Sequence, residues 1–230
     1  MERLRTYIEG MDERMDGGIP EGHIVLVSGG PGSMKSSLVY SIMYHNALNH
    51  KTKSLYITLE QGRESLLVHM KNLGFDVDRV TEYVYIADLS YLRKQIEGRS
   101  EGKWLDVFKL YAKNLKKSID YSILAVDSLP ALEILADVKN RRRELFDIFE
   151  WIRGLETTTF IITEPYTKGE IFREEEFLAD AVIKIEKERR GRNIDRIIYV
   201  DKMRATNHTT ECFVLTFRDG RFDISLLIED

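Results

Sequence analysis

Apolar and polar positions follow two periods along this chain, and each change of period marks an element. The run Ile24-Val25-Leu26-Val27 reads as a buried strand. The amphipathic run Leu38 to Leu48 after it belongs to a helix from about Lys35 to Asn49. Ser54–Leu59 is rich in β-formers, Arg63 to Leu73 reads as a helix, and Tyr83-Val84-Tyr85-Ile86-Ala87 as a third strand. Between Trp104 and Ile119, Leu105, Phe108, Tyr111, Ala112 and Leu115 recur near helical spacing, which predicts core packing. Ser122-Ile123-Leu124-Ala125-Val126 is a buried-type strand ending in Asp127-Ser128. A helix from about Asn140 to Leu155 presents Leu145, Phe146, Ile148, Phe149 and Ile152, and Thr158–Thr163 is a further strand ending in Glu164-Pro165. Strand signals then come in series at Ala181–Glu186, Arg196–Asp201, Glu211–Phe217 and Phe222–Ile224. Turns fall at Glu188–Asn193 and Asp219-Gly220. Alternating strand–helix units with a strand-only tail predict an α/β fold. Its sheet is mainly parallel and twisted, flanked by helices, with a C-terminal antiparallel extension.

Two stretches lack a period. Thr6 to Gly22 is rich in turn formers and by composition is a connector into the first strand. Asp88 to Lys103, polar and charged from Gln95 onward, predicts a mobile excursion. At 230 residues the chain suits one domain. We divide it into a leading segment 1–22, a core 23–180 and a β extension 181–230. A hydrophobic content of 43% with 31% charged residues is ordinary for a globular protein. No apolar run approaches the roughly 20 residues of a membrane span. Met1-Glu2-Arg3-Leu4-Arg5 lacks a basic-then-apolar leader pattern, so a cytoplasmic protein without a membrane partner is expected. Cys212, beside Phe213 and Val214, predicts an inert core thiol. The net charge of −4 argues against an obligate nucleic-acid coat.

The candidate chemistry centres on Ser28-Gly29-Gly30-Pro31-Gly32-Ser33-Met34-Lys35-Ser36-Ser37, between the first strand and the first helix. Strand, glycine-rich turn and helix form the context of a phosphate loop. Its backbone N–H groups, from Gly29 to Ser37, curl around an anion, and the helix N-terminus adds partial positive charge. Lys35 would reach the β- and γ-phosphates, and the Ser36 hydroxyl would sit on Mg²⁺. Met34 stands where such loops carry their second glycine. It is accommodated if its φ is already helical and its side chain turns away from the ligand. Glu60, at the C-terminal end of the second strand, is the candidate base for an attacking water. Asp127, closing an apolar strand downstream, would hold a Mg²⁺-bound water. Arg141-Arg142-Arg143 opposes the dipole of its helix and reads as a solvated patch, or else as a partner or nucleic-acid contact.

These residues resemble the KaiC-type ATPases of the RecA superfamily. The resemblance runs nearly end to end: Gly17–Gly22 is similar to the family's leading segment and Leu124–Leu129 to its Walker B strand. Arg143-Glu144-Leu145-Phe146, Ile161-Ile162-Thr163-Glu164 and Glu175–Asp180 resemble the segments that follow. Lys202-Met203-Arg204-Ala205-Thr206-Asn207-His208 is similar to the motif Lys-Met-Arg-Gly-Thr-x-His, with Ala205 for glycine. The resemblance implies a RecA-like P-loop NTPase core, ATP and Mg²⁺ as ligands, and a hexameric ring with ATP between subunits. It implies that Lys202 and Arg204 act in trans on the neighbour's ATP. Glu60-Gln61 replaces a common pair of acids, so slow turnover is expected. The family's two-domain clock members autophosphorylate a serine–threonine pair. Glu176 and Phe177 stand at that pair here, so autokinase activity is not expected.

The first reading is therefore an oligomeric, ATP-driven switch. A second is a RadA/RecA paralogue that binds single-stranded DNA. Against it, the loop Pro165–Glu176 carries Lys168 and Arg173 against Glu170, Glu174, Glu175 and Glu176. Its best remaining contact is the basic hairpin Lys187–Arg192. A third is an ATP-binding scaffold with little turnover, which Met34 and Gln61 favour. No base-recognition motif ranks ATP above GTP.

Overall fold

The run around Leu26 lies at the middle of the sheet as β3 (Ile24–Gly29), buried at every residue. This computed structural model describes residues 1–89, 104–165 and 174–227. Of the excursion expected from Asp88 to Lys103, Asp88 instead ends a strand, and 90–103, like Lys168, Glu170 and Arg173, lie outside the described residues.

The chain starts with β1 (Arg3–Leu4) and β2 (Ile19–Pro20), which pair antiparallel. After β3 come α1 (Lys35–His50), β4 (Ser54–Thr58), α2 (Arg63–Asn72) and β5 (Val84–Asp88). Then follow α3 (Trp104–Ile119), β6 (Ile123–Asp127), α4 (Leu129–Leu135), α5 (Arg141–Arg153) and β7 (Thr158–Thr163). The last elements are α6 (Glu174–Leu178), β8 (Ala181–Arg190), β9 (Asn193–Met203), β10 (Phe213–Arg218) and β11 (Arg221–Leu226). Among the described residues the large sheet has the order β11-β10-β9-β8-β3-β7-β6-β4-β5. β8, β3, β7, β6, β4 and β5 run parallel, and β9 to β11 add antiparallel, as the sequence predicts.

Both faces of the parallel part are covered, which explains its continuous apolar runs. Val25 and Val27 join a cluster with Leu38, Ile42 and Met43 of α1. Ile24 and Leu26 point the other way, onto Phe108 of α3 and Leu145, Ile148 and Phe149 of α5. The stripe on α3 is core packing, with Trp104, Phe108 and Ala112 buried.

The leading segment is more than a connector. Leu4, Ile8, Met11, Met15 and Ile19 are all buried in the cluster under α1. Arg3 donates from Nη1 to the carbonyls of Met15 (3.2 Å) and Gly18 (2.8 Å) and to Thr206 Oγ1 (3.0 Å). Composition hid this because short strands and a 3-10 turn, not one long element, carry those side chains inward.

Other details also correct the expectations. α4 follows Asp127-Ser128 directly, with Ser128 as N-cap and a proline in its first turn. The β8–β9 hairpin closes through only Gly191 and Arg192, so its strands are longer than expected. Cys212 is half-buried ahead of β10, because Phe213 takes the first inward position; it is not a core thiol. Of the basic run, Arg141 is not solvated: it reaches Glu133 (2.8 Å) and the buried Glu175 (2.9 Å). Glu144 accepts from the N–H groups of Lys139 and Asn140, which offsets the unfavourable basic first turn of α5.

Candidate functional site

Register brings the candidate groups to one edge. Ser28 pairs with Thr163, Asp127 with Ile162, and Thr58 with Asp127. Residues at or just beyond those strand ends (Gly29, Gly30, Glu60, Asp127, Ser128 and Glu164) therefore share the C-terminal rim, where open α/β sheets hold ligands.

The loop from β3 to α1 is tight by construction. A Cβ on Gly29 would lie 2.5 Å from the Ile185 carbonyl oxygen and 2.6 Å from Ser33 Oγ, so no other residue fits there. Ser33 is fully buried, and its hydroxyl has no hydrogen-bond partner among the described residues. At Gly30 a Cβ would meet nothing within 4 Å, so the loop is open on that side. Met34 departs from the expectation: φ is +74° and ψ is 23°, a left-handed conformation just before the helix. The turn demands that conformation whichever residue occupies it, and a methionine there costs about 1–2 kcal/mol. Its side chain packs against the cluster under α1, an apolar contact that offsets part of the cost.

Lys35 is buried and donates from Nζ to the carbonyls of Gly29 (2.5 Å) and Gly30 (3.2 Å). Burial lowers its pKa, while the nearby carboxylates of Glu164, Asp127 and Glu60 oppose that shift. An ammonium held by two neutral carbonyls inside three carboxylates is poised to exchange them for an anion. The Ser36 hydroxyl lies near enough to Tyr56 and Asp127 to favour the charged form of each. Tyr56, fully buried, donates its hydroxyl to Asp127 Oδ2 at 2.5 Å. Burial raises the Asp127 pKa, and the bond from Tyr56 and the nearby Ser36 hydroxyl counter it. Ser36 and Asp127 thus form a hydroxyl–carboxylate pair of the kind that hard divalent cations prefer.

Glu60 is exposed beyond β4 and accepts a hydrogen bond from Ser128 Oγ. The Ser128 hydroxyl also accepts from Ala131 N–H at 3.5 Å, so the N-cap of α4 orients Glu60. Gln61 is turned away, donating from Nε2 to Ser65 Oγ at 2.7 Å.

Lys202 and Arg204 stand apart from this cluster. Lys202 Nζ donates to the carbonyls of Glu176 (2.8 Å) and Ala179 (2.7 Å), at the C-terminus of α6. Burial, and next Arg204, lower its pKa. Arg204 donates to Asp180 Oδ1 (3.0 Å) and to the Phe177 carbonyl (3.1 Å). Asp180 also accepts from Arg153 (2.7 Å) and from the N–H of Ile24 at the start of β3 (3.0 Å).

Sequence reasoning missed Tyr56, Ser128 and Glu164 as parts of the site. Tyr56 reads as one more β-former, and only its position opposite Ala125, two residues before Asp127, shows what its hydroxyl reaches. Ser128 carried a signal, an N-cap residue before Leu129-Pro130.

The family described as "ATPase: KaiC" matches residues 4–225. The circadian clock oscillator protein KaiC of Picosynechococcus sp. is 27% identical over 232 residues, covering 97% of this chain. The chain spans only 44% of that relative's length. A UPF0273 protein of Methanocaldococcus jannaschii is 28% identical over 224 residues, covering 91% of this chain and 90% of its own. The crystal structure of a KaiC-like protein from Pyrococcus horikoshii superposes with a TM-score of 0.84 at 24% identity. It covers 97% of this chain and 99% of that one, which establishes the fold.

Proposed function

This chain belongs to the KaiC ATPase family, and on that premise we propose that it binds Mg²⁺–ATP at residues 28–37 and hydrolyses it slowly. The observation that carries the reading is the convergence of Lys35, Ser36, Asp127 and Glu60 on one sheet rim. When bound, Mg²⁺–ATP supplies the phosphoanhydride to be cleaved and a divalent charge beside it. Lys35 exchanges the Gly29 and Gly30 carbonyls for phosphate oxygens. The backbone N–H groups from Gly29 to Ser37, including those of Pro31's neighbours, Gly32, Ser33 and Met34, line the anion. Ser36 and Asp127 would hold the metal. Glu60, oriented by Ser128, takes a proton from the attacking water. Residues 1–230 act as one domain, in which 1–22 and 181–230 brace the core. We further propose a homo-oligomeric switch, hexameric by family, in which Lys202 and Arg204 serve the neighbouring subunit's ATP.

The test is steady-state ATP hydrolysis by the whole chain with Mg²⁺, with and without single-stranded DNA, beside Lys35→Ala. Turnover that DNA leaves unchanged, and loss of both binding and turnover in Lys35→Ala, are expected. Unchanged nucleotide affinity in Lys35→Ala would overturn the site. Strong stimulation by DNA would favour a recombinase-type role, and binding without turnover a nucleotide-gated scaffold.

A further inference from the structure

We propose that Lys187 is a second cation for the nucleotide's phosphates, supplied by the same chain, and that its bond to Pro31 is a resting position. The inference rests on the nucleotide-site reading above. β8 runs parallel beside β3, with Gly29 opposite Ile185. Lys187 lies two residues further along β8, past the point where β3 gives way to the phosphate loop. Ile185 is buried in the cluster under α1, so Lys187 leaves the sheet on the same face, the one from which α1 rises. Its exposed Nζ donates to the Pro31 carbonyl at 2.6 Å. It also lies 3.8 Å from where a Cβ on Gly32 would stand. Loop and strand thereby border a cavity of about 320 Å³, lined by Gly29, Gly30, Pro165 and Lys187 among others.

The neighbouring lysine behaves differently. Lys184 leaves by the opposite face and is engaged by Asp201 (2.7 Å) and Glu176 (3.4 Å). Lys187 is held by a neutral carbonyl, an acceptor that a polyphosphate oxygen readily replaces. An ammonium has three donors, so Lys187 can keep Pro31 and reach an anion in the loop at once. Lys35 holds the carbonyls of Gly29 and Gly30 and Lys187 that of Pro31, so the two ammonium groups sit on three successive residues of the loop. Their joint attraction for an anion in the loop grows with the anion's charge.

The experiment is equilibrium binding of ATP, ADP and AMP with Mg²⁺ to the whole chain, at low and high salt. It compares wild type, Lys187→Gln, Lys187→Arg and Lys35→Ala, each checked for its thermal midpoint. Losing one exposed charge-assisted bond should weaken ATP about fivefold to tenfold in Lys187→Gln, ADP less, and AMP little. The difference should shrink at high salt. Lys187→Arg should restore most of the affinity, and the midpoints without nucleotide should agree. Wild-type ATP affinity in Lys187→Gln, with binding lost in Lys35→Ala, would overturn the role of Lys187 and leave the site standing. Equal weakening of all three nucleotides with a lowered midpoint would also overturn it, as a merely structural effect. Wild-type binding in Lys35→Ala would overturn the underlying site instead.

Discussion

Replacing Asp180 by alanine should destabilise the fold by about 3 kcal/mol, and the sum follows from its bonds. Asp180 is 6% exposed and accepts from Ile24 N–H, Arg153 and Arg204. Alanine leaves the buried Ile24 N–H without its acceptor, a loss of about 1–3 kcal/mol. The arginine side chains are 40% and 51% exposed, so their ion pairs add only roughly 0.5 kcal/mol each after screening. Asn keeps an acceptor for Ile24 and loses only charge, so Asp180→Asn should lose about 1 kcal/mol. Urea unfolding measures both as midpoint shifts at constant slope. In a thermal scan, alanine should lower the midpoint by about 6–12 °C for a chain of this size. Burial alone would raise the Asp180 pKa, yet the bonds from Arg153, Ile24 and Arg204 hold it below the ordinary value. A depressed carboxyl pKa stabilises the fold above the unfolded value, and that contribution is lost as pH falls through the folded one. The gap between wild type and Asp180→Asn should therefore close from about pH 4 downward. Equal losses for alanine and asparagine, or a gap that widens in acid, would refute the reasoning.

Glu60→Gln should bind ATP like wild type and lose hydrolysis, read by binding and phosphate release on one sample; equal turnover would move the base elsewhere. Arg204→Ala should lose activity and regain part of it when mixed with Lys35→Ala subunits, which still offer Arg204; no recovery on mixing would argue against the trans role. Met34→Gly should leave stability within about 1 kcal/mol, because relief of the left-handed strain is offset by lost packing and greater unfolded-state freedom. Met34→Val should lose about 1–2 kcal/mol in the same urea series, since a β-branched residue tolerates positive φ poorly; a valine variant as stable as wild type would contradict that.

What the sequence made legible is what lies close together along it. The phosphate loop spans ten consecutive residues, and Asp127 announces itself as the polar end of an apolar run. Tyr56 and Asp127 are 71 positions apart, and Lys187 and Pro31 are 156 apart. Such contacts follow from strand order and register, which periodicity does not encode. Met34 was legible as a departure, but the left-handed turn it must adopt became plain only in the backbone. The leading segment hid for a different reason. Leu4, Ile8, Met11, Met15 and Ile19 are spaced like a helix face, while the glycines and aspartates among them signal turns. The segment resolves that conflict by folding as short pieces that share one buried side.

The common rim has a bearing on how this chain tolerates changes of length. Deleting one residue inside β3, β4, β6 or β7 would retract its terminal group by about 3.3 Å and turn alternate side chains to the other face. Insertions before those strands, around His23, Lys53, Ser122 or Thr157, fall at the far edge and can be absorbed in the connections. The β8–β9 ribbon is different again: beyond Lys187 it runs out to Gly191-Arg192, and adding residue pairs there lengthens a hairpin without moving the rim. Along the sequence, then, freedom to gain or lose residues should alternate with its absence once per strand, in step with the direction in which each strand runs.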